Sequence, residues 1–150
     1  MATPIVRTLA LADLPELLRL YAQVELLDEH TDRGLLEHTW ARILGEPMLI
    51  YVGAFDGETL ASTCHAVIVP NLTRGARPYA VIENVATDER LRRRGFGSLA
   101  IRHLIARCWD AGCYKVSLTS AVRRGPAHEF YEALGFDRNA KHAFLLKSDA

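Results

Sequence analysis

Arg92, Arg93 and Arg94 stand directly before Gly95-Phe96-Gly97, between a β-prone stretch and a helical one. Val81, Ile82 and Val85 supply the strand character. From Ser98 onward, Ile101, Leu104, Ile105 and Cys108 recur at helical spacing. A turn of this kind leaves the first amides of the helix without partners, at the positive end of the helix dipole. Glycines at 95 and 97 let oxygens approach the backbone with no Cβ in the way, and three guanidinium groups add full positive charge. The chemistry expected of this run is the binding of a phosphate or pyrophosphate. A basic turn on a solvated surface is the plainer alternative.

Two common phosphate motifs are absent. No Gly-x-x-x-x-Gly-Lys-Ser/Thr occurs, and the dinucleotide fingerprint fails because Ala100 stands where its third glycine belongs. What remains is Arg-x-x-Gly-x-Gly after a strand, which resembles motif A of the GNAT superfamily, the acyl-CoA-dependent N-acetyltransferases. Further on, Cys113-Tyr114-Lys115-Val116-Ser117-Leu118 reads as a short buried strand, followed by Ala127-His128-Glu129-Phe130-Tyr131-Glu132-Ala133-Leu134-Gly135-Phe136. The latter resembles motif B of the same superfamily, a short helix bearing Phe-Tyr and closed by Gly-Phe. Its local physics agrees: Pro126 suits a first helical turn, and Ala127, Phe130, Tyr131 and Leu134 share one apolar face. Gly135 suits the left-handed position that ends a helix. An aromatic pair on a helix face is also an ordinary core feature; two motifs in the right order weigh against that reading. The resemblance covers roughly residues 79–136.

The resemblance implies acetyl-CoA as co-substrate, with its pyrophosphate on the basic turn. The implied binding set is Val85, Ala86, Thr87, Arg92, Arg93, Arg94, Gly95, Phe96, Gly97 and Ser98. Backbone amides near Val85 and Ala86 are placed to donate to a thioester carbonyl, where negative charge develops. The tyrosine at the motif B position, Tyr131, takes the role of donor to the leaving sulfur. Tyrosine titrates near ~10 and a thiol near ~8.5, so hydrogen bonding to the sulfur is easier than full proton transfer. Glu83 shares a strand face with Val81 and Val85 and is the candidate for taking the amine's proton, or else for binding a substrate cation. Specific echoes, among them Ile82-Glu83-x-Val85 and Gly112-Cys113-Tyr114-Lys115, are similar to glucosamine-6-phosphate N-acetyltransferases. That subfamily carries a short acidic stretch before the Phe-Tyr helix, whereas Thr119-Ser120-Ala121-Val122-Arg123-Arg124 is longer and basic. The acceptor therefore does not transfer. Arg124, with Arg123, is a candidate contact for the cofactor's 3′-phosphate or an acidic acceptor.

Composition narrows the partners. Eighteen basic and eighteen acidic residues give zero net charge, which argues against a generic nucleic-acid binder. Arginines crowd residues 90–107, while acids dominate Asp13 to Glu46. No stretch approaches the roughly twenty apolar residues of a membrane span, and the amino terminus lacks the pattern of a secretory leader. Cys64, Cys108 and Cys113 have no paired-metal spacing, so reduced thiols, no metal and a cytoplasmic location are expected. A small-molecule amine is the expected partner, with room for a homodimer. The alternative class is a non-catalytic module that binds or senses acyl-CoA; within the family, amino-sugar phosphates and protein or peptide amines are alternative acceptors. Asp28, Glu29, His30 and Asp32 either face a cationic amine or form a solvated loop.

The elements that must position these residues alternate. A strand is expected over 4–8, helices from Asp13 and over 33–44, and strands near 47–55 and 59–69 joined at Asp56-Gly57. Residues 70–78 read as a polar loop. The motif strand follows over 79–87, then a helix over 95–111, a strand over 114–119, a helix over 126–134 and a last strand over 139–147. With no repeats or linkers, 1–150 reads as one domain of α/β class. The resemblance makes this a mixed, mostly antiparallel central sheet with helices on both faces. Its two parallel strands, 79–87 and 114–119, splay apart to admit the cofactor.

Overall fold

The computed structural model describes residues 2–149, and the chain divides into two compact units at Ser117/Leu118. Strands β1 (Ile5–Thr8), β2 (Leu49–Asp56), β3 (Thr59–Val69), β4 (Tyr79–Thr87) and β5 (Val116–Leu118) lie side by side in chain order. The first four are joined antiparallel, and β4 and β5 run parallel. Gly57, in a left-handed conformation (φ 62°), closes the β2–β3 hairpin at the expected turn.

Among the described residues of the first unit, helices α1 (Leu14–Gln23), α2 (Arg33–Leu44) and α4 (Phe96–Asp110) accompany the sheet beside a single turn, α3 (Thr73–Ala76), inside the expected 70–78 loop; α5 (Gly125–Ala133) belongs to the second unit. α1 starts with Pro15 in its first turn and buries Leu14, Leu17, Leu18 and Leu20. α2 starts where the Asp32 carboxylate accepts from the Leu35 amide at 2.8 Å. α4 buries Phe96, Ala100, Ile101, Leu104 and Cys108 along one stripe. Helices cover both faces of the sheet, as two adjacent residues of β3 show. Cys64 lies against Cys108 of α4, while His65 stacks on Tyr51, whose ring meets Trp40 of α2. Successive strand residues point to opposite faces, so α4 and α2 lie on opposite sides.

In the second unit, α5 half-buries Ala127, Phe130, Tyr131 and Leu134, the expected apolar face. Leu134 caps it, and Gly135 follows at φ 101°. The strand expected over 139–147 is not formed: residues 141–149 carry no regular secondary structure, and Phe144, Leu145 and Leu146 are 95%, 82% and 97% exposed. A β-prone segment becomes a strand only when another edge takes its amides and carbonyls, and residues 141–149 enter no ladder among the described residues.

Candidate active site

β4 is not a regular strand. His65 of β3 pairs with Glu83, and Thr63 pairs with Ala86, so Asn84 and Val85 together oppose the single residue Cys64. This is a β-bulge. Asn84 sits at its apex with φ 51°, a conformation that asparagine tolerates better than most residues. The bulge corrects the expected face. Ala86, not Val85, returns to the side of the sheet that carries Glu83, because the extra residue resets the alternation. Glu83 itself is exposed rather than enclosed by apolar neighbours. On the β5 side, pairing begins where the Ala80 amide donates to the Lys115 carbonyl at 3.0 Å. β5 has three residues against the nine of β4.

β4 then ends in a brace that sequence reading missed. The Asp88 side chain has no exposed surface, yet it is a carboxylate. It accepts from Arg19 of α1 at 2.9 Å, from Gln23 at 3.3 Å and from Arg90 at 2.8 Å, and also from the Arg90 amide at 2.9 Å. The Arg90 contacts, opposed by burial and reinforced by Gln23 and Arg19, hold the Asp88 carboxyl well below the usual carboxylate range. Arg19 in turn bonds Glu16 and the Leu60 carbonyl, at 2.9 Å each. The Gln23 side-chain carbonyl accepts from the Glu89 amide at 3.0 Å. Helix α1 thereby grips the chain just before the basic turn. A lone Asp beside Arg90 carries no sequence signal for this, since the partners that tie it to α1 come from residues 19 and 23.

The turn follows at once. Arg92 and Arg93 are exposed, with Arg93 at φ 61°, and Gly95 caps α4 at φ 86°. No side chain caps the helix, and the Leu99 amide to the Gly95 carbonyl (3.0 Å) is its first turn of bonding. The amides of Phe96, Gly97 and Ser98 precede that bond. A Cβ built on Gly95 meets nothing within 4 Å, so space lies open over the turn. An uncapped helix terminus, open space and adjacent guanidinium groups suit a pyrophosphate. Phe96 contributes only backbone, because its ring is buried. Arg94 reaches back to Asp56 at 3.5 Å and over the Phe96 ring, so part of its charge is already paired.

The structure thus brings Glu83, Val85, Ala86, Thr87 and Arg92–Ser98 together along one bulged strand and the turn after it. Thr87 and the Ala86 carbonyl are tied to Ser62 of β3, at 2.9 and 3.0 Å. Tyr131 and Arg124 lie in the second unit. The Tyr131 ring is flanked by Phe130 and Phe136, with centroids at 5.3 and 6.0 Å, and exposed Arg124 precedes the first turn of α5. Asp28, Glu29 and Asp32 belong to a solvated loop, with Asp32 spent on capping α2. A cavity of about 870 Å³ lies at the other end of α4, lined by Arg107, Asp110, Met48 and Leu72. Cys64, Cys108 and Cys113 are buried and unpaired; burial pushes the Cys108 thiol up to about 11. Among the described residues no group of three or more His, Cys, Asp or Glu is placed to hold a metal ion, and no helix is long and apolar enough to cross a membrane.

Known proteins share both the sequence pattern and the fold. The sequence model of the Acetyltransferase (GNAT) family matches residues 11–136. A protein of Agrobacterium tumefaciens str. C58 assigned as an acetyltransferase is 38% identical, with a TM-score of 0.90 over 96% of this chain and 99% of its own. Glucosamine 6-phosphate N-acetyltransferase of Arabidopsis thaliana is 30% identical over 116 residues, 75% of this chain and 72% of that protein. The fold also matches AAC(6')-Iy, solved with the bisubstrate analog CoA-S-monomethyl-acetylneamine, at 18% identity and a TM-score of 0.81 over 98% of this chain and 99% of that one. A bulged strand feeding an uncapped, glycine-opened helix, together with these matches, places the chain in the GNAT family of acetyltransferases.

Proposed function

We propose that this acetyltransferase moves the acetyl group of acetyl-CoA to a primary amine of a small-molecule acceptor. The observation that carries the reading is the left-handed, unobstructed Gly95 at an uncapped helix start, directly after the bulged strand that bears Glu83. Acetyl-CoA supplies the acyl group as a thioester. The Gly95–Ser98 backbone and Arg92–Arg94 bind its pyrophosphate, Arg124 its 3′-phosphate, and backbone near Val85–Thr87 its carbonyl oxygen. Glu83 takes a proton from the incoming amine. The C–N bond then forms as the C–S bond breaks, and the Tyr131 hydroxyl donates a hydrogen bond to the departing sulfur. Both units act as one N-acetyltransferase domain, a reading supported by a family match that runs across Ser117/Leu118.

The protein works in the cytoplasm, consistent with three unpaired thiols, and as a homodimer. The homodimer is supported by the exposed run Phe144-Leu145-Leu146, since a contiguous apolar surface favours being covered. Thiol release from acetyl-CoA over a panel of aminoglycosides, amino-sugar phosphates, polyamines and lysine peptides tests the function. Turnover with a small amine supports it. Cofactor binding with no thiol release above hydrolysis for any amine refutes it and leaves a sensing module.

A further inference from the structure

A row of three side chains crosses the sheet beside the bulge. Tyr51 of β2 pairs with His65 of β3, and His65 pairs with Glu83 of β4. Residues directly opposite one another share a face and touch or nearly touch. The Tyr51 and His65 rings are stacked, 4.2 Å apart and 7° from parallel. One face of the imidazole is therefore covered by Tyr51, and the other is turned toward the strand that carries Glu83. Trp40 of α2 packs edge-on against Tyr51 at 5.3 Å, which holds the stack in place.

The imidazole is poorly satisfied for a group so placed. Its Nδ1 is buried and makes no hydrogen bond among the described residues. A buried polar atom of this kind calls for a partner such as an ordered water. Burial pushes the imidazole down to about 4, so at neutral pH the ring is uncharged and keeps one donor and one acceptor.

We propose that His65 is a positioning residue for Glu83, holding the water through which that carboxylate takes the proton of the acceptor amine. The inference rests on the reading of Glu83 as the base. As the amine attacks, its proton passes to the water, and the water gives a proton to the Glu83 carboxylate. His65 stays neutral throughout, binding the water by one ring nitrogen while Tyr51 fixes the ring's tilt.

The test is a double-variant cycle, with one acceptor of high pKa and one weakly basic acceptor. His65→Phe keeps the stacking and burial but removes both nitrogens. It is expected to lower kcat for the high-pKa amine roughly tenfold and for the weak base less than about twofold, with the KM for acetyl-CoA unchanged. In the Glu83→Gln background His65→Phe should cost nothing further, because two residues acting through one step are not additive. His65→Gln, which keeps a hydrogen-bonding nitrogen, should recover part of the loss and serves in its own right if the phenylalanine variant folds poorly. Additive losses, or an equal loss for both amines, overturn the role of His65 alone. Full turnover in Glu83→Gln overturns the base reading and this inference with it.

Discussion

His65 should make the fold's stability depend on pH between 6.5 and about 4. The imidazole goes from 6.5 in the unfolded chain to about 4 in the folded one, because burial disfavours its charge. Between those values the unfolded state binds more protons than the native state, so stability rises with pH through the window and levels off above it. Integrating the two titrations from pH 7.5 down to pH 5 gives a loss of about 2 kcal/mol from this one residue. At this chain length that is roughly 4–8 °C in Tm. The perturbation is His65→Phe, which fills the same space beside Tyr51 and cannot charge. Urea unfolding followed by tryptophan fluorescence at pH 7.5, 6.5, 5.5 and 5.0 would yield two stability curves. Titrations common to both proteins cancel in their difference. The Asp88 carboxyl, held below the usual carboxylate range, contributes stability that is present above about pH 4 and lost below it, outside the window. The variant should gain on the wild type by about 2 kcal/mol as the pH falls from 7.5 to 5. Parallel curves would mean that the imidazole is solvated and charges freely, and the enclosed site inferred for it would be wrong.

Gly97→Val, in the first turn of α4, should weaken acetyl-CoA binding in calorimetry at least tenfold while Arg92→Ala does less, since the amides remain; unchanged affinity in a folded Gly97→Val protein removes the turn from the site. Gly95→Val is a poorer probe, because φ 86° adds about 1–2 kcal/mol of backbone strain to any effect on binding. Tyr131→Phe should lower turnover by roughly 10- to 1000-fold with acetyl-CoA affinity nearly unchanged, and full activity would reduce the ring to packing. Asp88→Ala should destabilise the fold by about 1–3 kcal/mol in urea unfolding, because the Arg90 amide and the side chains of Gln23 and Arg19 lose a buried charged acceptor. A loss under about 0.5 kcal/mol would show the brace to be no more than a surface pair.

The sequence by itself determined the element order and the place of the basic, glycine-opened turn. Both are local properties. α2 falls at Arg33–Leu44 and β4 at Tyr79–Thr87, as expected, because helical periodicity, β-branched runs and turn glycines act over a few residues. The Arg92–Gly97 turn was legible for the same reason: its backbone conformation and its charge are written into adjacent residues. Only the tertiary structure decided the surroundings of Glu83. Alternation places it beside Val81 and Val85, but a bulge at Asn84 depends on the register of β3 and hands that face to Ala86. The Asp88 brace joins residues more than sixty positions apart, and the Tyr51–His65–Glu83 row joins three strands. The same reason covers the one element that failed to form. Residues 139–147 have strand-like composition, but a strand is a relation between two edges, and a single chain's sequence does not say which edge will be there to pair.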